Sequence, residues 1–519
     1  MQFSGKVIVG TAAAVMAVSG IALIAAQSSS SNSAGDTSTA AAAADSSTQN
    51  TSSTGQTASA SLTTASLDSD VIPHANCGAG SLPETGLQGQ VPLADRNSGR
   101  SKQGYRCNLE LVGRYQGEGG SWVNPFYRNC AYMATTLTGL LKRSPGVQVV
   151  DLSDPARPRF ATRLTTASML SPWESLKVNE KRGLLGGVSG GVAVGGAFFE
   201  VYDLNKGCAA PELQNGIGNL SIPANVLGHE GGWSPDGMTY WAAGFALGVL
   251  TAIDVSNPKL PTIVFVGSTG TFNHGFSFSK DGNRLYIASL NPAGIRIFDV
   301  SDIQRRAPVP TIRELGSVSW NSTGAAQMTI PVTWGGHPYL IAPDEFGTVR
   351  IIDISDETNP VIVRNLQLEI QLPANSTVAS SDTKGTGLFA GYYSHYCTVD
   401  RRDEPTAIAC GYFNSGIRVF GTTGPNDIRE IAYYNPPAQT GKNVLLQGSE
   451  HANGVFGSSE YTAKLTAEWC TSPPRFVGSD QLWATCQDNG VQVLRFTNGV
   501  YRQPSNAGDP ATQVRPSDD

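Results

Sequence analysis

The chain has 519 residues, 40% hydrophobic and only 15% charged, with 58 Gly and 30 Pro. Charge below the usual ~25% and glycine above the usual ~7% point to many short strands joined by tight turns, not to long solvated helices. The formal net charge of −6, with no Lys/Arg run longer than two, offers no basic footprint, which excludes nucleic acid as an expected partner and disfavours anionic membrane surfaces.

The first predicted element is an export segment over residues 1–26, a signal peptide or signal anchor. Lys6 precedes a charge-free run from Val7 to Ala26, long enough at about 20 residues to span a bilayer if uncleaved. Contact with a membrane is expected only through this segment. Residues 27–70 are dominated by Ser, Thr and Ala; with almost nothing large to bury they are expected to form a disordered linker. The folding part is expected over 71–505, followed by a disordered tail at 506–519. Eight cysteines in an exported chain read as disulfides rather than metal ligands or nucleophiles. Cys397 and Cys410 lie symmetrically about a turn at Arg402-Asp403-Glu404-Pro405, so antiparallel strands would bring them face to face. Cys470 and Cys486 flank a similar hairpin. Cys77, Cys107, Cys130 and Cys208 stay unassigned. Sequons stand at Asn50, Asn219, Asn321 and Asn375.

Seven segments repeat one alternating apolar pattern: Val147-Gln-Val-Val-Asp-Leu, Phe199-Glu-Val-Tyr-Asp-Leu, Leu250-Thr-Ala-Ile-Asp-Val, Ile295-Arg-Ile-Phe-Asp-Val, Val349-Arg-Ile-Ile-Asp-Ile, Ile417-Arg-Val-Phe and Val491-Gln-Val-Leu. Period-two alternation is the strand signature. The first five end on Asp151, Asp203, Asp254, Asp299 and Asp353, placed to cap turns such as Ser153-Asp-Pro. Ser234-Pro-Asp-Gly and Ser279-Lys-Asp-Gly mark strand–turn–strand corners upstream. A repeat of about 50 residues holding three or four strands is one propeller blade. The fold class is therefore all-β, a seven-bladed β-propeller. The early strand Leu109-Glu-Leu-Val-Gly-Arg-Tyr has no blade of its own and is expected to complete the last blade beside Val491–Phe496, removing two sheet edges. The Val147-Gln-Val-Val-Asp-Leu-Ser-Asp-Pro type of repeat resembles the LVIVD-repeat β-propellers, exported proteins mostly of undefined role. The Ser-Pro-Asp-Gly corners followed by aromatic strands are similar to YVTN-type surface propellers. The resemblance covers about 120–500 and implies the fold; propellers host unrelated activities.

Four of the six histidines keep one phase in the repeat. His229 and His274 precede Asp236 and Asp281 by equal intervals, His395 takes the matching place in blade 6, and His451 is expected to open the inner strand of blade 7. Met328 takes this place in blade 5 and Trp173 in blade 2. Innermost strands line the central channel, so these residues would gather at one mouth. Imidazoles with a thioether suit copper, or zinc if Met328 is a bystander, with Glu174, Glu230 and Glu450 orienting the rings. Such an ion could activate water or dioxygen. The competing reading gives each histidine a hydrogen bond within its own blade and no metal. His337, in the Gly335-Gly336-His337-Pro338 turn, reads as structural, and His74 has no evident partner. Gly187-Val-Ser189-Gly-Gly191 fits a nucleophile elbow in spacing but falls between strands. Trp122, Trp233, Trp241, Trp320 and Trp334 read mostly as core.

The expected function is a secreted, periplasmic or surface-tethered propeller that binds or scaffolds a protein or cell-envelope ligand. The alternatives are a metal-dependent, copper-type oxidoreductase using the histidine cluster, and an extracellular hydrolase.

Overall fold

The computed structural model describes residues 71–503, except 136–144, 190–197, 217–221, 224–227, 245–247, 321–324, 384–390, 440–445 and 454–466. The expected export segment, the linker and the tail lie outside the described residues, as do the sequons at Asn50, Asn219 and Asn321.

The described strands form seven antiparallel sheets, the blades of a β-propeller. The third strand of each blade is one of the repeated segments: Val147–Asp151, Phe198–Asp203, Val249–Asp254, Ala293–Asp299, Val349–Asp353, Ile417–Gly424 and Gly490–Phe496. These strands face a neighbouring blade on both sides, so their Val, Ile, Leu and Phe side chains are almost all buried. The five aspartates close the turns as expected: the Oδ1 of Asp151, Asp203, Asp254, Asp299 and Asp353 accepts the backbone N–H two residues on, at 2.8 to 3.0 Å. Asp236 and Asp281 do the same at the Asp-Gly corners, accepting from Met238 and Asn283.

The strand Leu109–Tyr115 pairs with Gly490–Phe496 and completes blade 7, matching Leu109 with Phe496 and Tyr115 with Val491. The sequence did not foretell its predecessor: Tyr105–Cys107 adds a fifth strand to blade 6 against Asp427–Asn435. The N-terminal segment thus covers the outer edges of two adjacent blades. All eight cysteines are paired, as Cys77–Cys107, Cys130–Cys208, Cys397–Cys410 and Cys470–Cys486. Cys397 and Cys410 are direct cross-strand partners. Four disulfides fit a chain that folds in an oxidising compartment.

The innermost strands are Phe126–Tyr127, Lys177–Asn179, Gly228–Trp233, Asn273–Phe278, Ile330–Trp334, Ser394–Val399 and Arg475–Val477. Residues from all seven line one central channel of about 980 Å³, its open part included. Blade 7 departs from the expected register. Its inner strand is Arg475–Val477, whereas His451 lies in a short helix, Glu450–Asn453. The Cys470–Cys486 disulfide holds the chain just ahead of Arg475 beside the strand Gln481–Cys486, so the inner strand comes from residues well downstream of His451.

Candidate metal centre at the head of the channel

Three histidines reach a common region because their strands are built alike. His229, His274 and His395 are each the second residue of an inner strand. In all three strands the pairing with the next strand slips at the histidine: between Gly228 and Glu230, between Asn273 and Phe276, and between Ser394 and Cys397. Such a bulge releases a side chain from the strict up–down alternation and re-aims it. From blade 2 comes Glu174, the residue after Trp173. Trp173 holds a left-handed φ of 51°, uncommon for a bulky residue, and its N–H donates to the Thr135 carbonyl at 2.9 Å. This kink, with a bridge between Glu174 and Glu230, aims the Glu174 carboxylate at the histidines.

The ligand atoms converge closely. His229 Nε2 lies 2.9 Å from His274 Nε2 and 2.9 Å from Glu174 Oε2, and His274 Nε2 lies 3.4 Å from the same oxygen. Edges of 2.9 to 3.4 Å would let these three atoms share one ion at about 2 Å, the bond length zinc makes to imidazole and carboxylate. The other oxygen, Glu174 Oε1, lies 3.4 Å from His395 Nε2, which is also 3.0 Å from Gln327 Nε2 and 3.6 Å from Glu345 Oε1. Two rings are oriented from behind: His274 Nδ1 lies 2.9 Å from the Gln327 carbonyl and His395 Nδ1 2.9 Å from the Thr471 carbonyl. A ring whose Nδ1–H donates to a carbonyl presents a lone pair at Nε2, the arrangement of a metal-bound histidine. At His274 that lone pair faces a carboxylate oxygen. Two acceptors so placed need a proton or a cation between them.

The electrostatics run the same way. Burial would raise the Glu174 carboxyl, but the His229 hydrogen bond and the surrounding imidazoles hold it at about 2. Burial, reinforced by His229, pushes His274 down to about 3. An ionised carboxylate and a neutral imidazole are the forms that bind metal. His395 is raised: burial opposes its charge, but Glu345 and Glu174 outweigh it. Glu230 is held well above the carboxylate range by burial, with Lys177 opposing and Glu174 adding to the rise; its Oε1 stands 3.5 Å from His274 Nδ1.

Other expected residues fall elsewhere. Glu174, placed behind the rings by the sequence, stands among them, because the kink at Trp173 turns the next side chain inward. Trp173 itself packs its ring against His229 at 4.8 Å. In blade 5 it is Gln327 that touches the cluster, through carbonyl and amide; Met328 lies one residue on, in the channel wall. His451 belongs to a second buried group. Its Nδ1 pairs with Asp488 Oδ2 at 2.9 Å, Trp469 stacks on its ring at 4.3 Å, and Glu468 is the third member. Glu450 is buried in the same short helix. Ser189 is bound in a strand pairing, its N–H donating to the Phe198 carbonyl and its Oγ accepting from the Phe198 N–H, both at 2.9 Å. That is no exposed elbow; Gly190 and Gly191 lie outside the described residues. Trp122, Trp233, Trp241 and Trp334 are buried, and Trp320 donates to Asp344. His74 does have a neighbour, Glu369 at 3.5 Å. His337 opens an exposed strand end after two left-handed glycines.

Gln327, Glu345 and Thr471 carried no signal in the sequence, since each acts from a loop or strand end on a blade other than that of the ring it meets. Only the repeat phase could have flagged Gln327, one residue before Met328.

The sequence model of the LVIVD repeat matches residues 343–367, the later strands of blade 5. No curated protein matches the chain. Solved structures that it resembles include the periplasmic gluconolactonase of Pseudomonas aeruginosa, at 15% identity and a TM-score of 0.45, covering 74% of this chain and 99% of that one. A protein from Lactobacillus plantarum matches at 12% identity and TM-score 0.42, covering 58% and 81%. A functionally unknown protein from Desulfotomaculum acetoxidans matches at 12% and 0.41, covering 61% and 86%. Likeness this distant says nothing about activity. With seven blades, the last completed by an N-terminal strand, the chain is a seven-bladed β-propeller that carries an LVIVD repeat in its fifth blade.

Proposed function

We propose that this exported propeller is a metal-dependent hydrolase, with Glu174, His229 and His274 holding a divalent ion of the zinc class. The observation that carries the reading is the triangle of two imidazole nitrogens and one carboxylate oxygen, sized for a single ion. Two His and one carboxylate, with a coordination position left open, is a ligand set of catalytic zinc. The disulfides leave no thiolate to favour a softer metal. The bound ion would supply a Lewis acid that polarises a carbonyl or lowers the pKa of water. Gln327 and Thr471 fix the rings, Glu230 and His395 border the site, and Trp173 flanks His229, the ligand with the most exposure at 8%.

The test is metal content and ester hydrolysis of chain exported in its native compartment, beside Glu174→Gln and His274→Ala variants. Stoichiometric metal, lost in both variants together with chelator-sensitive hydrolysis of a chromogenic ester, is expected. Metal-free protein that stays folded and takes up neither zinc nor copper overturns the proposal and leaves a binding propeller. Bound metal with dioxygen-dependent oxidation and no hydrolysis overturns the hydrolytic assignment.

A further inference from the structure

The end of the channel opposite the histidines carries a charge that the metal centre does not use. Arg402 follows the inner strand of blade 6 in a turn fixed on both sides. Asp400 Oδ1 accepts the N–H groups of Thr406 and Ala407, at 2.9 and 3.1 Å. The Arg402 carbonyl accepts from Thr333 N–H on blade 5 at 3.0 Å, and Glu404 N–H donates back to the Thr333 carbonyl at 2.9 Å. With its backbone stapled to the next blade, Arg402 sends its side chain into the channel wall. Its neighbour Arg401 instead donates Nε to the Glu404 carbonyl at 2.7 Å on the outside.

The other two channel cations are paired: Lys177 Nζ with Glu230 Oε2 at 3.4 Å, and Arg475 Nη2 with Glu180 Oε1 at 3.2 Å. Arg402 has no ion pair among the described residues. The residue as a whole is half-buried, but its Nε is shut off from solvent and finds no hydrogen-bond acceptor. Burial lowers Arg402 to about 10, with Asp403 and Tyr286 opposing, so it remains charged at neutral pH. A cation with one donor shut off from water and no carboxylate partner among the described residues favours an anion beside it. Ser277 and Thr329 line the same channel, but their hydroxyls are engaged with each other at 2.6 Å and with the Tyr286 carbonyl at 2.8 Å, which leaves the guanidinium as the donor that faces the channel.

We propose that Arg402 binds a small oxyanion, a carboxylate or a phosphate, at this end of the channel. A guanidinium presents a planar fork of donors that matches either group. The site is independent of the metal proposal, because no ligand of the histidine cluster takes part in it.

Calorimetric titration of the full chain with succinate and, separately, inorganic phosphate tests this on chelator-treated protein. Binding of at least one anion is expected, weakened about tenfold or more by Arg402→Gln and unchanged by Arg401→Gln; the better anion names the source. Thermal melts give a second readout. The anion should raise the wild-type Tm but not that of Arg402→Gln, while the anion-free variant should melt no lower than wild type, having lost an unpaired charge. Absence of binding by both anions, or equal binding by Arg402→Gln, overturns the proposal. Protein that takes up neither zinc nor copper yet binds the anion would sink only the hydrolase reading.

Discussion

At the residue scale the informative groups are those whose partners lie on other blades. Gln327 touches Glu174, His274 and His395 at once. Replacing it by Leu keeps the carbonyl on His274 but removes the amide. If the cluster holds zinc, Gln327→Leu should weaken affinity about 10–100-fold, the usual cost of losing a ligand's supporting partner, in a competition titration against a chelating dye. Unchanged affinity would mean that the amide does not orient the site. The turn aspartates make a prediction about acid. Hydrogen bonds from Ser301, helped by Arg313 and Arg284, depress Asp299 to about 2. Its contribution to stability is therefore complete above the ordinary carboxyl value of ~3.9 and is lost as pH falls through about 2. Asp299→Asn should cost on the order of 1 kcal/mol at pH 7 and progressively less towards pH 2, measured by urea denaturation across that range. An equal cost at both ends would contradict the cap's ionic character. These turn caps were legible in the sequence because donor and acceptor are two residues apart. The Gln327 contacts were not, because their partners are separated by 53 to 153 residues.

At the scale of elements, the inner strands show how a repeat both announces and hides a site. Equal phase placed His229, His274 and His395 together, since strands of equal length start at the same level of the ring. The same counting failed for His451, where the segment between helix Glu450–Asn453 and Arg475 breaks the repeat. It also missed by one residue in blades 2 and 5, where Glu174 and Gln327 hold the positions given to Trp173 and Met328. A kink or bulge shifts facing by one residue without changing composition. Disulfides divide similarly. Cys397–Cys410 lies within a hairpin and spans 13 residues, whereas Cys130–Cys208 ties the second strand of blade 1 to the outer turn of blade 2 across 78. In the chain-entropy account the longer loop stabilises by about 4.5 kcal/mol and the shorter by about 3. A Cys130→Ala/Cys208→Ala chain should therefore lose more Tm than Cys397→Ala/Cys410→Ala, by differential scanning calorimetry; the reverse order would show that packing, not loop closure, sets the loss.

At the scale of the whole molecule, ring closure depends on a segment far from the repeats. Leu109–Tyr115 and Tyr105–Cys107 cover the outer edges of blades 7 and 6, and Cys77–Cys107 ties the segment to itself. A chain starting after Tyr115 should expose both edges and gain concentration-dependent light scattering while keeping most of its strand circular dichroism. Monodisperse, fully stable truncated protein would show that the clasp is dispensable. The number of blades, the closing strand and the two hairpin disulfides could be read from residue order alone, because alternation, turn chemistry and short spacing are local properties that repeat. The convergence of Glu174 with the histidines, the isolation of His451 with Asp488, and the pairing of Cys77, Cys107, Cys130 and Cys208 had to await the closed ring. Each depends on which distant strand ends meet in space, and that is decided by how bulges, kinks and blade packing set the facing of single side chains.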